Sequence, residues 1–245
     1  MSGSRQPSRP PLRRRAKEVV GNIPLVGQLS RLVYRLFRYA RYRWRGSSKD
    51  YWEARYAAGD DSGDGSYGKL AEFKARTLND FVAEFKLQSV VEFGCGDGNQ
   101  LKLAEYPQYL GLDVSPTAVA RCRRLFSDDP SRTFSLLDDY QGERADLALS
   151  LDVLYHLVED EVFADYLRRL FASAASHVCI YSSNYNDPPK VESHVRHRKF
   201  TSYVEEHFPT WRLLRSVPNA YPLDLDPKGS FADFYFYERR EPSEQ

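Results

Sequence analysis

The sequence predicts an α/β fold with a doubly wound, mostly parallel seven-stranded sheet and an antiparallel edge strand, preceded by a basic N-terminal helical arm. Short apolar runs alternate with amphipathic helical patterns from residue 87 onward, as crossover connections between parallel strands require. The first run leads directly into a glycine-rich turn. The last two runs have no long helix between them, which predicts an antiparallel pair at one edge of the sheet.

Each predicted element has its own pattern of apolar residues. We expect strands at the short apolar runs of residues 89–93, 109–113, 133–137, 147–151, 178–182, 212–217 and 231–237. Apolar residues spaced three or four apart predict helices at about residues 70–85 and 159–174, and a shorter one from residue 201. Another helix should begin at Ser115–Pro116, because serine caps a helix N-terminus and proline suits the first helical position.

The formal net charge of +1 hides a strong asymmetry. Residues 1–45 contain twelve Lys or Arg and one acid, Glu18, whereas the rest of the chain contains 23 basic and 33 acidic residues. An acidic body with a basic arm is not typical of a nucleic-acid-binding protein, whose basic residues cover the binding face. We therefore do not expect nucleic acid as a partner of the body.

The basic arm divides into two segments. Residues 1–24 are rich in Pro, Ser and Arg and predict a disordered leader, whereas residues 25–46 have the pattern of a basic amphipathic helix. Arginine on one face and Leu, Phe and Trp on the other suit an anionic membrane surface. Docking on a partner protein or on the chain's own domain, RNA binding and a transit peptide remain alternatives.

The cysteine content and the length of the apolar runs indicate a location. Cys95, Cys122 and Cys179 are odd in number and form no C-x-x-C pair, which favours reduced thiols over disulfides or a zinc ribbon. No apolar run approaches the roughly 18 residues that span a bilayer. We expect a cytoplasmic protein that its arm can hold peripherally at the inner face of a membrane.

The most informative segment is VVEFGCGDGNQ, residues 90–100. Glycines at 94, 96 and 98 allow a sharp turn and close approach of a ligand, and the second predicted strand ends at Asp113, where a carboxylate can bind ribose hydroxyls. A dinucleotide fingerprint needs glycine where Asn99 stands. Asp97 within the turn is awkward for a pyrophosphate but suits a ligand with an amino group, which favours S-adenosylmethionine (SAM).

These segments resemble the class I SAM-dependent methyltransferases, and are similar to bacterial O-methyltransferases of glycan and secondary-metabolite pathways. The resemblance covers residues 51–238 and rests on EFGCGDG, GLDVS, LLDDY and ADLALSLDVLYHL. It implies SAM as cofactor, a methyltransferase domain at residues 87–240, and a lid with an N-terminal helix at residues 47–86. The cofactor-binding residues that it implies are Tyr51, Trp52, Arg55, Glu92, Gly94, Cys95, Gly96, Asp113, Val114, Asp138, Asp139 and Asp152.

The resemblance also implies roles for these positions. Asp113 would bind the ribose, Asp138 or Asp139 the adenine amine, and Asp152 would face the transferred methyl group. Tyr51, Trp52, Arg55 and Tyr56 would close over the cofactor, with Arg55 at its carboxylate.

Methyl transfer needs alignment of the acceptor with the methyl group, and a hydroxyl acceptor also gains from a general base. The candidate catalytic residues are Asp152, His156, His194 and His197. The candidate substrate-binding residues are Tyr155, Asn184, Tyr185, Arg196 and Arg198, of which the two arginines suit a phosphate or carboxylate. We therefore expect O-methylation of a polar acceptor such as a sugar, a glycan or a phosphorylated metabolite.

Other functions remain open at this point. A nicotinamide-dependent oxidoreductase and a non-catalytic SAM-binding interaction module are the alternatives, and Asn99 counts against the first. An amino-directed RNA methyltransferase would need an Asn-Pro-Pro-aromatic motif, from which Asn186–Pro189 departs. No metal is expected, although His194 with His197, or Asp152 with Asn184, supply partial ligand sets.

Overall fold

The computed structural model describes residues 47–186 and 195–240. Seven strands in this part of the chain form a single sheet. They are β1 (Ser89–Phe93), β2 (Gln108–Asp113), β3 (Arg132–Leu136), β4 (Ala145–Leu151), β5 (Ala174–Ser182), β6 (Trp211–Val217) and β7 (Asp233–Arg239). The strand order is β3-β2-β1-β4-β5-β7-β6, in which β7 runs antiparallel to β5 and to β6 and the other neighbours are parallel. The predicted fold class is confirmed.

The helices of the described residues connect these strands or precede them. They are α1 (Ser48–Ala57), α2 (Gly68–Glu84), α3 (Pro116–Leu125), α4 (Asp160–Ser173) and α5 (Phe200–His207). Ser115 caps α3 as predicted, because its hydroxyl accepts a hydrogen bond from the Ala118 amide and Pro116 follows it.

Apolar side chains cover both faces of the sheet. On one face, Leu78 and Phe81 of α2 pack with Phe236 of β7 and Val119 of α3. On the other face, apolar residues of α4 and α5 pack against β1, β4 and β5. These helices pack on the faces of the sheet and not at its edges. The carboxyl ends of the parallel strands, where sheets of this kind bind ligands, are therefore accessible.

The structure differs from the sequence prediction mainly before β1. Residues 47–57 were expected to belong to the lid, in which a helix was predicted at about residues 70–85 alone, but they contain the ten-residue helix α1. A capping box starts this helix, since the Ser47 hydroxyl accepts from the Asp50 amide and the Asp50 carboxylate accepts from the Ser47 amide. The low apolar content of α1 explains why hydrophobic periodicity did not reveal it.

The predicted leader and arm helix, at residues 1–24 and 25–46, lie outside the described residues, as does His194. The helices among residues 47–186 and 195–240 are all too short or too polar to traverse a lipid bilayer.

Candidate active site

A cavity of about 520 Å³ lies at the carboxyl ends of β1, β2 and β4. It brings together residues that are far apart in the sequence. Eleven of the predicted site residues line it, namely Trp52, Tyr56, Glu92, Gly94, Cys95, Gly96, Asp113, Val114, Asp138, Asp152 and His156. The predicted residues Tyr51, Arg55 and Asp139 do not line it.

The glycine turn after β1 needs its glycines at specific positions. Gly94 and Gly96 have φ angles of +90° and +57°, which other residues rarely adopt. A Cβ atom on Gly94 would lie 2.5 Å from Val153 Cγ2, and one on Gly96 would lie 2.4 Å from Ser62 Oγ. The bare backbone of this turn therefore forms one wall of the cavity, where a ligand can approach closely.

Asp113, at the end of β2, holds the same turn in place. One carboxylate oxygen accepts from the Gly96 amide at 2.9 Å, and the other accepts from the Ser115 amide at 2.9 Å. Burial raises the pKa of this carboxyl to about 6, against the lowering effect of its amide donors. The position predicted to bind ribose is thus a buried carboxylate in the cavity wall.

Glu92 is the second buried acid of the wall. Burial raises its pKa to about 7, while a hydrogen bond from the Tyr109 hydroxyl at 2.6 Å and the nearby charge of Lys74 oppose that rise. With this pKa, both the neutral and the charged form of Glu92 are populated near neutral pH.

Lys74 is a residue of the site that the sequence analysis missed. It lies on the apolar face of α2 with 1% of its surface exposed, and its Nζ lies 2.6 Å from Asp152 Oδ2. A charged residue within an apolar helical stripe is a signal that could have identified it, because buried lysines need a partner. The Asp152 carboxylate also accepts from the Tyr155 hydroxyl at 2.9 Å.

Asp152 occupies an unusual backbone position directly after β4. Its φ angle of +61° lies in the left-handed region, and its amide donates to the Tyr181 carbonyl at 3.0 Å. Strained residues concentrate at functional sites, so this conformation supports the prediction that Asp152 is a site residue.

Helix α1 covers the cavity and is tied to three different parts of its rim. The Glu53 carboxylate accepts from the Ser115 and Thr117 hydroxyls at the start of α3. Ser48 donates to the Glu159 carboxylate, and Lys49 Nζ lies 2.5 Å from Asp138 Oδ2. The predicted lid is therefore anchored by polar contacts.

Asp97 faces this lid and does not line the cavity. Its carboxylate accepts from the Ser62 amide at 3.0 Å, the Tyr67 hydroxyl at 2.7 Å and the Asn99 amide at 3.0 Å. The interpretation of Asp97 as an acid suited to a ligand's amino group finds no support in this geometry. Asp97 instead joins the segment before α2 to the glycine turn.

The residues of α1 that were predicted to close over the cofactor do not all line the cavity. Trp52 lines it and packs edge to face against His156, with 4.9 Å between the ring centroids. The Arg55 guanidinium donates to the Asp61 carbonyl at 2.7 Å and to the Tyr51 hydroxyl at 3.3 Å. Arg55 was predicted to bind the carboxylate of the cofactor. In the structure it instead holds the loop after α1 in place.

The predicted substrate-binding residues lie beside the cavity rather than in its lining. His197 shares a 2.6 Å hydrogen bond with the Ser183 hydroxyl, and its ring stacks on Tyr185 and meets Phe231 edge to face. The Asn184 side chain accepts from the Thr201 amide and hydroxyl at the start of α5.

Arg196 and Arg198 contact protein groups instead of an open surface. Arg198 donates to the carbonyls of Leu157 and Val158 and, with Arg196, forms an ion pair with Asp160. The Arg196 amide also donates to the Tyr155 carbonyl. Both guanidiniums thus hold the loop after β4, and the basic segment expected to bind a phosphate does not line the cavity.

Among the described residues, no group of three or more His, Cys, Asp or Glu is arranged to hold a metal ion. Asp152 and Asn184, considered as a partial oxygen ligand set, are occupied by Lys74 and Thr201 respectively.

The family comparison identifies the central part of this fold. Residues 91–178, which span β1 through most of β5, match a family model described as a methyltransferase domain. The match covers 88 of the chain's 245 residues. Together with the fold, it indicates an S-adenosylmethionine-dependent methyltransferase, as the motifs predicted, and the oxidoreductase alternative is not supported.

Solved structures of other methyltransferases share this fold. The N-methyltransferase NodS from Bradyrhizobium japonicum WM9 has a TM-score of 0.62 and 16% identity, covering 80% of this chain and 100% of that one. The magnesium protoporphyrin IX methyltransferase of Synechocystis PCC 6803 has a TM-score of 0.54 and 16% identity, covering 69% and 83%. A methyltransferase from Clostridium acetobutylicum ATCC 824 has a TM-score of 0.53 and 10% identity, covering 69% and 92%. No curated protein matches the sequence.

Proposed function

We propose that this enzyme transfers the methyl group of SAM to a hydroxyl group of a polar acceptor such as a sugar, a glycan or a phosphorylated metabolite. The observation that carries the proposal is the convergence of the glycine turn, three strand-end acids and His156 on one cavity. Glu92 is the penultimate residue of β1, Asp113 ends β2 and Asp152 follows β4, and these strands are adjacent and parallel, as expected for a ligand at the carboxyl edge of the sheet.

We propose that the cofactor lies along the glycine turn. Asp113 would bind the ribose, Asp138 would take the adenine amine, and the backbone of Gly94 and Gly96 would leave room for the methionine part. SAM itself supplies an activated methyl group on a sulfonium. The protein's task is then mainly to align the acceptor with that carbon and to exclude water, which α1 supports by covering the cavity.

His156 is the residue that we assign to general-base work. It lines the cavity beside Trp52 and Tyr155, and neutral imidazole is suited to take a proton near pH 7. Asp152 suits this task less well, because Lys74 and the Tyr155 hydroxyl already engage its two oxygens. We assign Asp152 to orienting the acceptor together with Tyr155, and place His197, Asn184 and Tyr185 at the outer rim.

The test is a screen with SAM carrying a labelled methyl group. Hydroxyl acceptors (sugars, sugar phosphates and lipid-linked sugars) are compared with amine acceptors, using the wild type, His156→Gln and His207→Gln. For the best acceptor, we expect His156→Gln to lower kcat by about 100-fold because a general base contributes that much. His207 is a matched control, since it lies exposed at the end of α5 and contacts Tyr203.

Two outcomes contradict the proposal. Transfer to amines alone would overturn the hydroxyl assignment. Equal kcat values for the wild type and His156→Gln would contradict the assignment of His156 as the general base.

We also propose that residues 25–45 bring the enzyme to an anionic membrane surface, where a lipid-linked acceptor would be found. The support is the excess of arginine in this segment over an acidic remainder of the chain. The proposal fits a cytoplasmic enzyme held peripherally at a membrane.

A further inference from the structure

The charges in the wall of the cavity do not balance. Among the described lining residues, Lys74 is the fully buried cation, and its ammonium is paired with Asp152 at 2.6 Å. Glu92 is buried nearby and carries no such pair. Asp113, the other buried acid of this wall, accepts from backbone amides and is also not paired with a cation, so a charged Glu92 adds to a negative charge that a cationic ligand would neutralise.

Glu92 is buried, and among the described residues that surround it Lys74 is the one cation. The described residues give its carboxylate one side-chain hydrogen bond, from the Tyr109 hydroxyl on β2. The titratable groups that face it from the neighbouring elements are Lys74, Cys95, Tyr106, Tyr109, Asp113, Asp152, Tyr166 and Cys179. Of these, Lys74 is the one cation, and Asp152 already engages it.

We propose that Glu92 makes this site select the cationic SAM over the product S-adenosylhomocysteine (SAH), whose sulfur is uncharged. The inference rests on the proposed function, because it needs SAM in this cavity. SAM carries an ammonium, a carboxylate and a sulfonium, for a net charge of +1, whereas SAH has the first two only. The two ligands therefore differ by one methyl group and one positive charge.

The preference for SAM arises because Glu92 loses its proton when the positively charged ligand binds. In the empty site, burial raises the pKa of Glu92 to about 7, so its neutral form is populated near neutral pH. SAM favours the charged form, and the proton leaves to the buffer as SAM binds. SAH supplies no net charge, so it gains less from ionised Glu92. Product release would be favoured in this way once the methyl group has been transferred.

The experiment is calorimetric titration of the full chain with SAM and, separately, with SAH at pH 6, 7 and 8. Each titration is repeated in two buffers of different ionisation enthalpy, which counts the protons released. We expect the ratio of the SAH to the SAM dissociation constant to rise by about tenfold from pH 6 to pH 8, as Glu92 ionises. We also expect more proton release with SAM than with SAH at pH 6.

Two variants and a matched control test the assignment to Glu92. Glu92→Gln keeps an acceptor for Tyr109 but cannot ionise, so the rise of the ratio between pH 7 and pH 8, where Asp113 with its pKa of about 6 is already largely ionised, should be lost. Tyr109→Phe removes the hydrogen bond that favours the charged form, so the rise should move to higher pH. Glu72→Gln changes an exposed carboxyl on α2 that does not line the cavity, and it should behave as the wild type.

The possible results separate this inference from the proposed function. Binding of neither ligand at any pH would overturn SAM binding in the cavity, and the inference with it. Binding of both with a ratio that does not change with pH would overturn the inference alone. If Glu92→Gln does not fold, an unshifted pH dependence in Tyr109→Phe would overturn it.

Discussion

At the scale of single residues, the site depends on acids that the fold buries at the ends of strands. Asp113 was predicted as a site residue because it ends a short apolar run, and Glu92 because it belongs to EFGCGDG, a motif on which the family resemblance rests. Local patterns of this kind are visible in a sequence. The structure adds that both carboxyls are buried, which raises their pKa values.

Glu92→Gln should stabilise the empty protein at alkaline pH. Burial raises the pKa of Glu92 from 4.5 in the unfolded chain to about 7 in the folded protein. The wild type therefore has its full free energy of unfolding below pH 4.5, and loses part of it as the pH rises through 7. At pH 8 we expect the variant to have a higher free energy of unfolding than the wild type by roughly 2 kcal/mol, with a much smaller difference at pH 5. Urea unfolding at the two pH values measures this. An equal difference at both would contradict the account, and Glu72→Gln is the control.

Residues whose roles depend on distant partners could not be predicted. Lys74 pairs with Asp152 across 78 positions of the sequence, and Asp97 bonds to Ser62 across 35. Arg55 was predicted to meet the cofactor, but the loop after α1 supplies closer acceptors. In each case, tertiary packing decides which of several polar groups a side chain meets.

At the scale of elements, the strands and long helices followed from apolar periodicity with errors of a few residues at their ends. β1 was predicted exactly, and β5 begins four residues earlier than expected because it continues directly from α4. Helix α1 was missed because polar contacts to the rim hold it instead of an apolar face.

Glu53→Ala should loosen the lid. Its carboxylate joins α1 to the N-terminus of α3, where an acid also interacts favourably with the helix dipole. We expect faster amide hydrogen exchange in residues 58–67 and weaker SAM binding by about tenfold, as for the loss of one or two charge-assisted hydrogen bonds. Glu72→Ala, an exposed acid on α2, is the control. Unchanged exchange in this loop would contradict the lid assignment.

Arg198→Lys distinguishes a positioning role from recognition of an anionic acceptor. The planar guanidinium donates to two consecutive carbonyls and to Asp160, and lysine cannot reproduce that geometry. We expect a loss of about 1–2 kcal/mol in the free energy of unfolding, although the charge is kept. Arg196→Lys, at a more exposed arginine, should lose less. Wild-type stability in Arg198→Lys would favour the original prediction of acceptor binding.

At the scale of the whole molecule, charge is divided between a basic arm and an acidic body. Binding of the full chain to vesicles should therefore require anionic lipid and weaken with salt, because it would depend on the arginines of residues 25–45. Co-sedimentation with phosphatidylserine vesicles, compared with phosphatidylcholine vesicles, measures this. Equal binding to both would contradict an electrostatic attachment.

The central claim is that the cavity at the carboxyl ends of β1, β2 and β4 binds SAM through its strand-end acids. The most direct measurement is calorimetric titration of the full chain with SAM and, separately, with NAD, using Asp113→Ala as the variant. We predict saturable binding of SAM, no binding of NAD, and at least about 30-fold weaker SAM binding in Asp113→Ala, because the variant loses charged hydrogen bonds to the glycine turn and to the ribose. Binding of NAD alone, or SAM binding that Asp113→Ala leaves unchanged, would contradict the account.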